Sequence, residues 1–174
     1  MNKDNKKFPQ FFPPNYELKQ KVGSGGLSPV LIRKAQRVID ENDIEFSMLA
    51  SPYMTVLNEG IAQALGGPKS RSQEEITEAI LFPAMQLKAN GELFHYPIIT
   101  TVGARLLFFI ERVNVLNTQA IEIVIAFERA IKIIFDKKLK GEVSETGQKI
   151  IEELDAVCNR FFEKYPENIH PRYK

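Results

Sequence analysis

Two strongly apolar stretches, 98–116 and 120–139, follow one another with only a few residues between them. In the first, Ile99, Val102, Leu106, Phe109, Val113 and Leu116 recur at spacings of three and four, the period of one helix face. In the second, Ala120, Val124, Phe127, Ile131 and Ile134 repeat the pattern, and Ile121, Ile123, Ile125, Ala126, Ala130 and Ile133 widen it past a single face. A helix apolar around most of its circumference needs other helices on all sides, so the second stretch is expected to be the most buried element. Asn117 suits an N-cap, and so short a link favours an antiparallel pair.

The same periodicity predicts the helices around this hairpin. Ser28-Pro29 opens one that runs to about Glu41 and is expected to bury Leu31, Ala35 and Val38. A short helical segment is expected over 43–50. Ser51-Pro52 then restarts a helix that buries Met54, Leu57, Ile61 and Leu65 and ends at Gly66-Gly67-Pro68. Ser72 and Glu75 form a capping box for a helix reaching Ala89, in which Pro83 predicts a kink or a break and Gly91 the end. Gly141 closes the second hairpin helix. Ser144 caps the last, with Ile150, Leu154, Val157 and Phe161 inward and Pro166 as its stop. No strand-like alternation of useful length occurs. The expected fold is all-α: five to six helices around a central antiparallel hairpin, with an extended N-terminal arm.

Residues 1–27 depart from this pattern. Phe8-Pro9-Gln10-Phe11-Phe12-Pro13-Pro14 is aromatic and proline-rich, and the prolines bias it toward an extended backbone. Gly23-Ser24-Gly25-Gly26 follows as a hinge. The expected organisation is therefore an arm over 1–27, one helical domain over 28–166 and a tail over 167–174. Phe8, Phe11, Phe12 and Tyr16 are many aromatics for a solvated segment. Either the arm covers the protein's own apolar surface, or it is a docking motif pre-extended by its prolines.

Charges within the hairpin change the picture next. Arg105 and Arg112 lie seven apart on one edge of the first helix, and Glu122 and Glu128 lie on the second. Folding back near Asn117 would set Arg105 opposite Glu128 and Arg112 opposite Glu122. That arrangement is either a pair of flanking salt bridges or a polar ligand site in the bundle. The same charges interrupt both stretches before the roughly 18 apolar residues of a membrane span.

Composition narrows the chemistry. At 174 residues the chain suits one domain with a real core. A net charge of +1 provides no global field for nucleic acid or anionic lipid. Lys132, Lys137, Lys138 and Lys140 cluster where lysines complement a helix C-terminus. With a single cysteine, Cys158, neither an intramolecular disulfide nor a Cys-based zinc site is available. Glu92-Leu93-Phe94-His95 is one Glu-x-x-His where a di-iron bundle needs two, and His170 is the only other histidine. The glycine-rich run at 23–26 follows no strand, so it lacks the setting of a nucleotide loop. No Ser stands in a Gly-x-Ser-x-Gly elbow. The many glutamates leave acid–base work by paired carboxylates open. No cofactor, metal or nucleic-acid partner is expected. No apolar leader precedes residue 27, which places the chain in the cytoplasm.

Leu18-Lys19-x-Lys21-Val22-Gly23-x-Gly25-Gly26-Leu27, preceded by Pro13-Pro14-Asn15-Tyr16-Glu17 and followed by a helix, resembles the leader of small helical bacterial proteins. Some of these accompany chemotaxis signalling genes. The resemblance covers about residues 13–40 and implies a signalling accessory role, with no catalytic residue to carry over. Three functions remain in view: a non-enzymatic regulatory or adaptor protein binding a protein partner, a bundle binding a small molecule or acting as an enzyme near the hairpin charges, and a homodimer with Phe162 and Tyr165 at its seam.

Overall fold

Seven helices account for nearly all of the regular structure: α1 (Tyr16–Val22), α2 (Pro29–Asp40), α3 (Phe46–Leu65), α4 (Gln73–Gly91), α5 (Pro97–Arg112), α6 (Thr118–Asp136) and α7 (Glu145–Lys164). They come from a computed structural model that describes residues 16–23, 26–41, 45–66, 72–141 and 144–173. The chain forms two compact units, 1–41 and 42–174. The first holds α1 and α2, and the second is an all-α bundle of α3 to α7.

Within the first unit two expectations change. Residues 16–22 are helical rather than extended. They lie beyond the last proline of the arm, and Glu17, Leu18, Lys19, Gln20 and Lys21 are all good helix formers. The aromatic residues Phe8, Phe11 and Phe12 lie outside the described residues. Helix α2 begins where expected, with the Ser28 hydroxyl accepting from the Val30 amide and Pro29 in its first turn. It buries none of its residues, however, so Leu31, Ala35 and Val38 are not core. The unit boundary accordingly falls after residue 41 rather than before Ser28.

The bundle core follows the expected periodicity closely. Ile99, Val102, Leu106, Phe109 and Val113 on the first stretch are buried, as are Ala120, Val124, Phe127, Ile131 and Ile134 on the second. Asn117 caps α6 by accepting from the Ala120 amide. Helices α5 and α6 do pack on each other, yet α5 packs more extensively on α4, and α4 on α3. Three glycines explain this. A Cβ on Gly60 would lie 3.2 Å from the Ala79 carbonyl, one on Gly103 3.1 Å from Lys88, and one on Gly91 2.8 Å from the Thr100 nitrogen. Without Cβ atoms the helix backbones approach more closely than a hydrophobic stripe alone would bring them.

Neither internal proline breaks its helix. Residues 46–65 form one helix through Pro52, not two, and Leu65 is exposed at its end. Pro52 sits on an exposed side beside Met48, whose carbonyl loses its N–H partner where water can replace it. Helix α4, opened by the expected capping box, continues through buried Pro83. The carbonyl that Pro83 leaves unpaired is that of Ala79, and this is the group against which Gly60 packs.

The C-terminal residues are part of the bundle rather than a tail. Val113 and Ile169 form an isolated antiparallel bridge. The buried Asn168 side chain accepts from the Val115 amide at 2.8 Å and donates to the Val115 carbonyl at 2.9 Å. Its own carbonyl accepts from the Asn114 amide, and the His170 amide donates to the Arg112 carbonyl. Asn168 thus satisfies the backbone of the α5–α6 connection as a strand neighbour would. No helix among the described residues is long and apolar enough to cross a membrane.

Candidate functional site

The first candidate surface belongs to α2. Leu31, Ile32, Ala35, Val38 and Ile39 fall on one stripe of this 12-residue helix, while Arg33, Lys34 and Arg37 occupy the opposite side. Leu31 is 57% exposed, Ile32 51%, Val38 68% and Ile39 39%. The polar face is stitched along the helix, with Gln36 donating to Asp40 and Arg37 facing Glu41 at 3.9 Å. Charge is unevenly divided along the chain. Residues 1–41 hold eight Lys and Arg against four Asp and Glu, and the remainder holds fifteen against eighteen. Tyr16, on α1, is 66% exposed.

The second candidate is a groove of about 430 Å³ between α5 and α7. Arg105, Phe108 and Arg112 line one wall at spacings of three and four; Asp155, Cys158, Asn159, Phe162 and Glu163 line the other with the same period. The hairpin pairings expected from sequence do not form. Arg105 Nε donates to Asp155 at 3.0 Å, on α7 rather than α6. With side chains 39% and 43% exposed, this pair contributes at most about 1 kcal/mol. Arg112 forms no ion pair among the described residues. Its guanidinium lies 4.9 Å from the Phe108 ring centroid, 5.2 Å from Phe162 and 5.9 Å from Tyr173. Its Nε is buried and meets no acceptor. Ring faces compensate the charge but leave the buried Nε–H unused, and a buried unused donor costs about 1–3 kcal/mol.

Glu122 and Glu128 are not part of this groove. Glu122 borders a separate, mostly apolar groove of about 490 Å³ between α6 and α7, with Ala126, Ile133, Ile150 and Leu154. Glu128 is buried, and its Oε1 lies 2.6 Å from Lys132 Nζ, within an ion pair but off the line of a hydrogen-bond donor. The four hairpin charges therefore divide among three places, because α7 inserts its own acidic face beside α5. Residue periodicity identified which side chains lie on each helix edge; it held no information on which helix would cover that edge.

Cys158 is half-buried in the wall of the groove between α5 and α7. Burial raises the thiol pKa to about 12, with Asp155 adding to the rise and Arg105 opposing it. Only the thiolate is nucleophilic, so at neutral pH the groove holds an inert thiol. In the native protein, iodoacetamide at pH 8 is expected to label Cys158 on the order of a thousandfold more slowly than a free thiol, and at the free-thiol rate in denaturant. Rapid labelling of the folded chain would show an ionised thiol and overturn this assignment.

His95 is exposed in a left-handed turn after the 3₁₀ turn at 92–94. Lys138 and Lys140 both lie near Glu45, at 3.5 and 3.6 Å, so the lysine cluster is partly neutralised from α3's N-terminal side. Phe162 and Tyr165, the expected dimer seam, are half-buried and join Phe109 and Phe161 in an aromatic cluster of the same chain. Comparison with known proteins finds no matching family model, and no match among curated proteins or solved structures.

Proposed function

We propose that this chain is a non-enzymatic regulatory protein that docks its N-terminal unit on a protein partner through an apolar, acid-rimmed groove. The observation that carries the reading is α2: an amphipathic helix with Leu31, Ile32, Val38 and Ile39 all exposed on one stripe. An apolar helix face binds by laying anchors at spacings of three, four and seven into a complementary groove. Arg33, Lys34 and Arg37 flank the stripe and favour acidic residues at the rim of that groove. The excess of basic residues over 1–41 extends the same preference. Phe8, Phe11, Phe12 and Tyr16 would then add aromatic anchors N-terminal to the helix. The resemblance of residues 13–40 to the leader of helical proteins that accompany chemotaxis genes supports a cytoplasmic bacterial signalling setting.

The test places a photo-crosslinking residue at position 36 of the full chain, beside the stripe, and identifies the captured protein in cells. Binding is then measured with both proteins purified. Support requires that Leu31→Glu and Arg33→Glu each weaken binding by about tenfold or more, and that added salt weaken the wild-type complex. Equal affinity for wild type and Leu31→Glu overturns the reading. So does self-association abolished by Leu31→Glu, which makes α2 a dimer element, or binding only to anionic vesicles, which makes it a membrane-surface helix.

A further inference from the structure

We infer that the groove between α5 and α7 is a binding site for a small monocarboxylate carrying an apolar or aromatic body. The inference is independent of the docking role proposed for α2 and rests on the charge balance of the groove. Its two arginines are not equivalent. Arg105 is neutralised by Asp155 at 3.0 Å. Arg112 has no carboxylate among the described residues, although Glu163 of α7 lines the same groove. Its Nε is buried and has no hydrogen-bond partner among the described residues.

A guanidinium stacked on rings keeps its donors in its own plane, where a carboxylate meets two of them at once. The guanidinium carbon of Arg112 lies over the Phe108 and Phe162 rings, 4.9 and 5.2 Å from their centroids. The rings that orient the cation also form walls of the groove. A carboxylate on the terminal nitrogens of Arg112 therefore leaves the rest of the ligand against aromatic surface. This geometry selects an anion with an apolar body over an inorganic one.

The opposite wall sets the charge. With Asp155 held by Arg105, Glu163 is the further carboxylate lining the groove, and its charge disfavours a dianion such as phosphate more than a single carboxylate. A volume of about 430 Å³ lies within the range of small-molecule sites. The Cys158 thiol, un-ionised at neutral pH, offers no nucleophile to a bound carboxylate, so the site binds rather than transforms.

The test titrates the ¹⁵N-labelled full chain with phenylacetate, and separately with phenethylamine and inorganic phosphate. The readouts are the Arg112 Nε–Hε resonance and the backbone amides of Phe108, Cys158 and Phe162. Expected are saturable shifts with phenylacetate in the millimolar range or below, and none with phenethylamine. The Arg112→Met chain is expected to bind about tenfold or more weakly, with Arg112→Lys intermediate. The comparison of phenylacetate with phenethylamine needs no variant, so it stands even if Arg112→Met fails to fold. Absence of shifts at millimolar phenylacetate, equal binding of phenethylamine, stronger binding of phosphate, or undiminished binding by a folded Arg112→Met chain each overturns the site. None of these outcomes depends on a protein partner for α2.

Discussion

Phe46→Ala is expected to lower the stability of the bundle by about 3–5 kcal/mol, the largest effect of any single substitution argued from this structure. Phe46 is the first residue of α3 and is 1% exposed. Its ring stacks on Phe94 with centroids 5.0 Å apart and planes 3° apart, and meets Phe135 edge-on at 5.6 Å and Tyr96 at 5.9 Å. These partners come from the 3₁₀ turn at 92–94, the end of α6 and the entry to α5, so one ring joins four segments. Truncation removes the transfer energy of the ring and leaves a cavity. Its walls are turns and helix ends tied by their own hydrogen bonds, such as Tyr96 N–H to the Gly91 carbonyl at 2.7 Å, so collapse into the space is limited. Whole-domain stabilities are about 5–15 kcal/mol, so the substitution removes a large share. Urea unfolding followed by circular dichroism measures it as a lower midpoint at unchanged slope. A loss under about 1 kcal/mol would mean that this aromatic cluster is not a fixed part of the core.

Much of the bundle was legible because its residues repeat at a single period. The inner faces of α5 and α6 follow from that repeat, and the caps at Ser72, Asn117 and Ser144 from local hydrogen-bond chemistry. Phe46 shows where this reading stops. It stands at the edge of an element, outside any repeat, and its burial depends on residues about fifty and ninety positions away. Pro83 shows a second limit. On its own helix it signals a break, but the carbonyl it frees is met by Gly60 on α3. Neither residue announces the other, since the close approach exists only once α3 and α4 are packed.

The charged residues were legible in type and wrong in pairing for the same reason. Arg105 and Arg112 do share one edge of α5, but α7 rather than α6 faces that edge. The acids at 155 and 163 had no helix-to-helix register in the sequence to connect them with residues fifty positions earlier. The opposite error occurred at α2. Its clean stripe reads as a buried face because most amphipathic helices bury one. Periodicity reports that a face is apolar, and only the structure reports that nothing in the described residues buries it.

Gly91→Ala gives the sharpest separation between local and tertiary reasoning, because the two predict opposite signs. Gly91 looks like a helix stop, yet its φ and ψ are −55° and −50°, ordinary helical values that suit alanine. On helix propensity alone the substitution would add up to about 1 kcal/mol of stability. The added Cβ, however, would lie 2.7 Å from Thr100 Oγ1, 2.8 Å from Thr100 N and 2.9 Å from Tyr96 O. The hydroxyl can rotate, at the cost of its 3.1 Å hydrogen bond to the Lys88 carbonyl. The other two atoms are backbone in the first turn of α5, where Tyr96 O accepts from Ile99 N at 2.9 Å. They cannot give way unless α5 moves off the end of α4. Overpacking of this kind costs about 1–3 kcal/mol and occasionally more. Since real Cβ atoms do not approach backbone so closely, the upper part of that range applies, and a net loss of about 2 kcal/mol is expected after the propensity gain. Gly60→Ala and Gly103→Ala, with closest approaches of 3.2 and 3.1 Å, are expected to lose less. Thr100→Ala in the Gly91→Ala background removes the one side-chain clash and should recover only a minor part of the loss. Chemical unfolding of the four variants decides the matter: a gain in stability for Gly91→Ala, or full recovery with Thr100→Ala, would place the constraint in the hydroxyl or in the helix end rather than in the approach of two backbones.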